Sequence, residues 1–174
     1  MSKLVSEHQP KAQRPKLPDG YGIPEHEEGL LPWSFVEERM SAAINYWVAT
    51  VDPKGRPHAT PVWGAWVDGM CYIEGSPETK RARNLAQNPA VVVHLESGSE
   101  VVIIEGEAEE VVKPDREFGV KMAKAMGDKY GAPERGGYKP KPNSWDEGGL
   151  HRIKPRVVFA WSKFPGDTTR WLFK

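Results

Sequence analysis

From Ser34 to Ile44 the apolar residues Val36, Met40, Ala43 and Ile44 recur at the spacing of one helix face, and Ser34 with Glu37 makes a capping-box pattern. This predicts a short first helix. The pattern then changes to β-branched and aromatic residues. Tyr46 to Val51 reads as a strand, and Asp52-Pro53-Lys54-Gly55 as a turn, because the proline presets φ and the glycine permits φ > 0. A second strand is expected from about His58 to Val67, and Asp68-Gly69 turns it into a third over Met70 to Glu74. Pro57 and Pro61 remove ladder donors, so the second strand must be an edge or carry a bulge.

Ser76 and Pro77 read as the N-cap and first position of a helix of about three turns that buries Leu85 and Ala86 and stops at Asn88-Pro89. Two strands follow, Ala90 to Leu95 and Val101 to Val112, with Gly106 a bulge or bend in the second. Pro114 opens another amphipathic helix, with Phe118, Met122, Ala125 and Met126 on one face. Residues 131–149 form a loop without periodicity, long enough to point to function or partial disorder. Strands over Arg156 to Trp161 and Thr169 to Phe173 end the chain, and no internal repeat is visible. Many short antiparallel strands with a few short helices predict a mainly β fold. A small closed barrel fits best, since closure removes exposed edges, and a sandwich is the alternative.

Composition narrows this further. At 174 residues the chain holds one domain with a real core, expected over residues 33–174. Residues 1–32 are rich in Pro, Lys, Glu and Gln and cannot bury enough surface to order alone, so they are expected to be a partly disordered arm or to lie over a partner. Lys plus Arg and Asp plus Glu each number 24, leaving no global field to attract nucleic acid or an acidic membrane. No apolar run approaches the roughly 20 residues that cross a bilayer. The single cysteine, Cys71, fits a reducing compartment, and a cytoplasmic location is expected. Seven tryptophans exceed what one small core needs and suggest flat aromatic walls and a homodimer.

Candidate chemistry concentrates in GRPHATPVWGAWVDGMCYIEGSPETKRARNLAQNP, Gly55 to Pro89. Lys80, Arg81 and Arg83 fall at a helix start, where the macrodipole disfavours cations, so a compensating anion such as a phosphate is indicated. A solvated basic face is the alternative. In Thr60-Pro61-Val62-Trp63-Gly64-Ala65-Trp66, the two tryptophans lie an odd number of positions apart and face opposite sides of a regular strand, while Gly64 and Ala65 leave room for a planar ring. His58 and His94 have no ligand partners at metal-binding spacing, so no metal site is expected. Cys71 reads as packing, and no hydrolase or nucleotide-triphosphatase motif is present.

The succession of a helix, YWVATVDPKGRPHATPVWGAWVDG, a strand, SPETKRARNLAQNP, an apolar strand and VVIIEGEA, followed near the end by TTRWLFK, resembles the pyridoxamine 5'-phosphate oxidase-like superfamily of flavin- and deazaflavin-binding proteins. The resemblance covers roughly Ser34 to Val112. It implies a six- to seven-stranded antiparallel Greek-key split β-barrel of the FMN-binding type, paired as a homodimer with the cofactor in an interface groove. It further implies that Lys80 and Arg81, with Thr79 beside them, hold the cofactor phosphate, and that the acidic tail of a deazaflavin runs out towards Arg83. Thr60, Pro61, Val62 and Trp63 would lie along the ring, and Arg170 and Trp171 would approach the partner's groove. Where vitamin-salvage oxidases carry basic residues on the second strand this chain has Thr60 and Ala65, and their C-terminal arginine and histidine motif is absent. The resemblance therefore implies an F420 (deazaflavin)-dependent reductase of a small organic substrate. The alternatives are an FMN-dependent oxidoreductase and a non-catalytic flavin- or haem-binding module. No catalytic residue is indicated, because the cofactor carries the chemistry.

Overall fold

The computed structural model describes residues 10–173; the part of the expected arm over residues 1–9 lies outside the described residues. The strands are β1 (Ala12–Gln13), β2 (Tyr46–Val51), β3 (Pro57–Val62), β4 (Gly64–Val67), β5 (Met70–Glu74), β6 (Ala90–His94), β7 (Val101–Val111), β8 (Leu150–Trp161) and β9 (Thr169–Leu172). The helices are α1 (Trp33–Ala42), α2 (Lys80–Gln87) and α3 (Arg116–Tyr130). All strands join one nine-stranded sheet in the order β1-β9-β8-β7-β6-β2-β3, and β5 pairs β8 while carrying β4 on its other side. Every pairing is antiparallel.

This sheet does not close, which overturns the expected split β-barrel; the fold is an open sheet mixed with helices. The cause is visible at Trp63. The strand expected to run unbroken from His58 to Val67 is interrupted there, and its halves take different partners: β3 pairs only β2, and β4 only β5. Each half leaves an edge that no other described strand covers. Pro57 and Pro61 then sit on an edge strand, as their missing N–H groups require.

The junction is held tightly. Gly64 Cα packs so close that a Cβ would lie 2.3 Å from the Tyr72 carbonyl oxygen. Its N–H donates to Tyr130 Oη at 3.0 Å, and Lys129 Nζ donates to its carbonyl at 3.0 Å. The end of α3 therefore fixes the turn between β3 and β4, and Trp63 stacks on Tyr130 with ring centres 4.7 Å apart.

Other boundaries also differ from expectation. Helix α1 begins at Trp33 after an extended Pro32 with no side-chain cap, so the Ser34–Glu37 capping box does not form. Strand β8 starts at Leu150, six positions before Arg156, because β5 and β7 both pair with its first half. The expected bulge in β7 is present: the register shifts between Glu105 and Gly106, and a Cβ on Gly106 would meet the Lys154 carbonyl oxygen at 2.0 Å. The 131–149 segment contains a 3-10 turn, Pro133–Arg135, and is anchored by Trp145, which is 3% exposed.

Two apolar clusters make the core. One packs α1 and Leu85 of α2 against Tyr46, Val48, Val93, Ile104 and Trp171. The other packs Met122, Met126 and Tyr130 of α3 with Trp145 against Ala65, Val67 and Tyr72. Residues of the described arm lie on the chain's own sheet. Ala12 and Gln13 pair with β9, and the Arg14 guanidinium donates to the carbonyls of His26, Glu28 and Thr168.

The opposite sheet face carries one cross-strand row, Pro61, Trp47, His94, Ile103, Phe159, Arg170 and Gln13, each directly paired with the next. Trp47 and His94 stack in this row, and Trp47, His94, Ile103 and Phe159 are only half-buried.

Candidate cofactor site

Helix α2 begins at Lys80, later than expected, because Ser76 is spent on a local turn: its Oγ accepts from Glu78 N at 3.2 Å. Thr79 is the N-cap instead. Its Oγ1 accepts from Ala82 N at 3.2 Å and donates to the Ser76 carbonyl at 2.9 Å. The helix is eight residues long, and Asn84 ties it to β2 through Thr50 at 3.0 Å.

The three basic residues then separate. Lys80 is exposed, and Arg83 is exposed with its guanidinium donating to the Glu78 carbonyl at 2.7 Å. Arg81 turns inward and is 5% exposed. Its Nη2 donates to the Glu74 carbonyl at 3.0 Å, while its Nη1 is buried without a partner. Gly75 makes this possible, since a Cβ there would stand 2.4 Å from Nη2 and its φ is +154°. A buried guanidinium nitrogen left unpaired is costly, so Arg81 is set to receive an acceptor.

Around Arg81 lies a polar group that has no signature in the local sequence. The Glu74 carboxylate accepts from Trp145 Nε1 at 3.0 Å and from Tyr138 Oη at 3.2 Å. Burial raises its pKa, against the opposing pull of those donors and of Arg81. His151 sits directly across from Glu110 on β7, is 8% exposed, and has an unpartnered Nδ1. Burial, with the charge of Arg81 adding to it, lowers the His151 pKa despite the opposing charge of Glu110. With Arg83 and Glu110, His151 lines a cleft of about 330 Å³ between α2 and the β7–β8 pair. His151 could not be anticipated, because it lies at the start of a strand that the sequence pattern began at Arg156.

Strand pairing places the remaining residues. Thr60 is opposite Val48 and His58 opposite Thr50, so Thr60, His58 and Val62 share the sheet face on which α2 is tied to Thr50. Pro61 faces the other side. Trp63 is turned onto Tyr130 and Tyr138, while Trp66 packs towards Trp33, so the two tryptophans do not line one groove. Arg170 and Trp171 are on β9, separated from β3 by four intervening strands along the sheet. Trp171 is 1% exposed against Trp33, and Arg170 lies in the outer row with its Nε unpartnered. The site is thus a capped helix with one buried arginine and two exposed basic residues, on the sheet face that Thr60 and Val62 share, and among the described residues it holds no catalytic acid, base or nucleophile constellation. Cys71 is buried and its thiol is pushed up to about 12 by burial. Among the described residues no group of three or more His, Cys, Asp or Glu could hold a metal ion.

The comparisons place this antiparallel-sheet fold in a family. The family model for pyridoxamine 5'-phosphate oxidase matches residues 36–162, and the chain belongs to that family. No curated protein matches the chain. Among solved structures, a conserved hypothetical protein from Mycobacterium tuberculosis is similar with a TM-score of 0.62 at 22% identity, over 78% of this chain and 88% of that one. A protein described as an F420 reductase is similar at 0.53 and 21% identity, over 70% and 94% of the two chains. A haem storage protein from Vibrio cholerae is similar at 0.53 and 22% identity, over 74% and 90%. At these identities the likeness concerns the fold. No helix among the described residues is long and apolar enough to cross a membrane.

Proposed function

We propose that the chain is an oxidoreductase of a small organic substrate, with the phosphate of a deazaflavin (F420) held at the start of α2 and the ring lying along β3. FMN is the alternative cofactor. The observation that carries this reading is Arg81, a buried guanidinium with one nitrogen unpaired beside a helix N-terminus. A phosphate oxygen satisfies that nitrogen and the helix dipole together, so the residues present fit the group. Lys80 and Arg83 add charge on the exposed rim, and Thr79 orients the first turn. Thr60 and Val62 offer the ring an edge-strand surface on the same face as α2. The bound cofactor would supply hydride transfer; the chain's residues bind it, orient it and shield it from water. The preference for a deazaflavin rests on Thr60 and Ala65, neutral where vitamin-salvage oxidases carry basic side chains.

A homodimer belongs to the same proposal. The half-buried row of Trp47, His94, Ile103 and Phe159 is an apolar sheet face that a second copy would cover. Arg170 in that row would then stand at the junction between copies.

Absorbance titration of the protein with FMN and with F420 tests the cofactor, and anaerobic turnover with a panel of activated alkenes tests catalysis. Saturable F420 binding with alkene reduction is expected. Tighter binding of FMN reverses the cofactor preference, and binding without turnover of any acceptor returns the chain to a carrier role.

A further inference from the structure

A second cleft lies away from α2, between the end of α1, β4 and the last turns of α3. Its volume is about 340 Å³, and Ile44, Ala65 and Trp66 give it apolar walls while Lys129, Arg135 and Asp128 give it charge. The charges do not cancel locally. Asp128 is paired with Lys124 on the same helix. Neither Lys129 nor Arg135 makes an ion pair among the described residues.

Lys129 is the unusual member. Its ammonium donates to Tyr46 Oη at 3.2 Å and to the Gly64 carbonyl at 3.0 Å, and lies 4.6 Å from the centre of the Tyr46 ring. All of these partners are neutral. An ammonium has three donors, so one N–H is left over, and a half-buried cation without a counter-ion loses hydration that nothing charged restores. Burial accordingly brings its pKa down to about 8.

We propose that this cleft binds a small organic carboxylate, with Lys129 and Arg135 holding the carboxylate and Ile44, Ala65 and Trp66 packing against its hydrocarbon body. An anion restores the missing counter-charge, and the apolar walls favour a carboxylate with an organic body over a bare, strongly hydrated anion. The titratable groups facing Lys129 are Tyr46 from β2, Cys71 from β5, Tyr130 from α3, and Asp128 and Arg135 at the cleft wall. Burial raises Tyr46 well above its usual value and pushes Cys71 and Tyr130 up to about 12, so Lys129 is the member of this set that titrates near pH 8. The proposal does not depend on a cofactor at α2.

The test uses benzoate as probe, with benzamide as its neutral isostere and inorganic phosphate as a bare anion, each titrated into the full chain while the indole N–H of Trp66 is followed by NMR. Benzoate should bind saturably and about tenfold or more tighter than either control. Lys129→Met and the exposed-site variant Arg135→Gln should each weaken it about tenfold. Wild-type affinity should be level around neutral pH and fall above about pH 8 by about tenfold in total, levelling off once the amine has lost its proton. Equal binding of benzamide, equal binding of phosphate, no saturable shift, or unchanged affinity in Arg135→Gln would each overturn the proposal. Arg135→Gln and the pH profile decide the matter even if Lys129→Met fails to fold.

Discussion

Replacing Arg81 by methionine keeps most of the buried length of the side chain and removes its charge, which separates its two possible duties. If Arg81 serves only the fold, the variant should lose stability. If it is held ready for an anion, stability should change little and affinity should fall. In the unliganded chain the substitution removes one hydrogen bond, from Nη2 to the Glu74 carbonyl, worth about 1.5–3 kcal/mol for a charged donor. It also removes a buried guanidinium whose Nη1 has no partner, a relief of similar size. The net change should be within about 1 kcal/mol, or about 4 °C in Tm. Cofactor binding has no such compensation. Losing a desolvated, charge-assisted bond to phosphate should cost about 1.5–3 kcal/mol, a fall in affinity of about 10- to 150-fold. Fluorescence titration with FMN and F420, run beside thermal melts, reads both quantities. Arg81→Lys, which keeps the charge with fewer donors, should fall between wild type and methionine. Unchanged affinity in the methionine variant, or a Tm loss far beyond 4 °C with affinity intact, would refute the reasoning.

Three further outcomes are expected. Glu74 has a raised pKa, so the folded chain holds its proton to higher pH than the unfolded chain; that contribution is complete below the ordinary carboxylate pKa and is lost as pH rises through the folded value. Glu74→Gln, which keeps an acceptor for Trp145 and Tyr138, should therefore flatten the stability profile across that window and stabilise the chain at pH 7, as read by urea midpoints over a pH series. Tyr130→Phe leaves the Gly64 N–H and the Ile44 carbonyl without their hydroxyl partner while keeping the ring under Trp63, and should cost about 1–3 kcal/mol in denaturant unfolding. Gly106→Ala drives a Cβ into the Lys154 carbonyl at the bulge and should cost about 1–3 kcal/mol, measured in the same way; a neutral result would mean that β7 can shift its register there.

Local chemistry was legible in the sequence where a residue's own backbone demanded it. Pro57 and Pro61 announced an edge strand, Asp68-Gly69 a hairpin, and Gly106 a bulge, and each is present. The helix start at 79–80 was missed by a few residues because Ser76 and Thr79 compete for the same capping role, and hydrogen bonds to Ser76 consume it first. Closure of the sheet was misread because it depends on what Trp63 does. Its ring is drawn onto Tyr130 and Tyr138, 67 and 75 residues later in the chain, and no local pattern reveals that pull. The same distance hid Glu74, Tyr138, Trp145 and His151, which meet around Arg81 only after β5 pairs with β8. The basic cluster itself was visible, but only tertiary structure shows that Arg81 alone of the three is buried.

A crystal structure of the chain grown with F420 or FMN tests the central claim most directly. A phosphate oxygen is expected within hydrogen-bonding distance of Arg81 Nη1, with the Lys80 and Arg83 side chains around that phosphate and the ring against β3 near Thr60 and Val62. A phosphate bound elsewhere, with Arg81 Nη1 still unpaired, would contradict it.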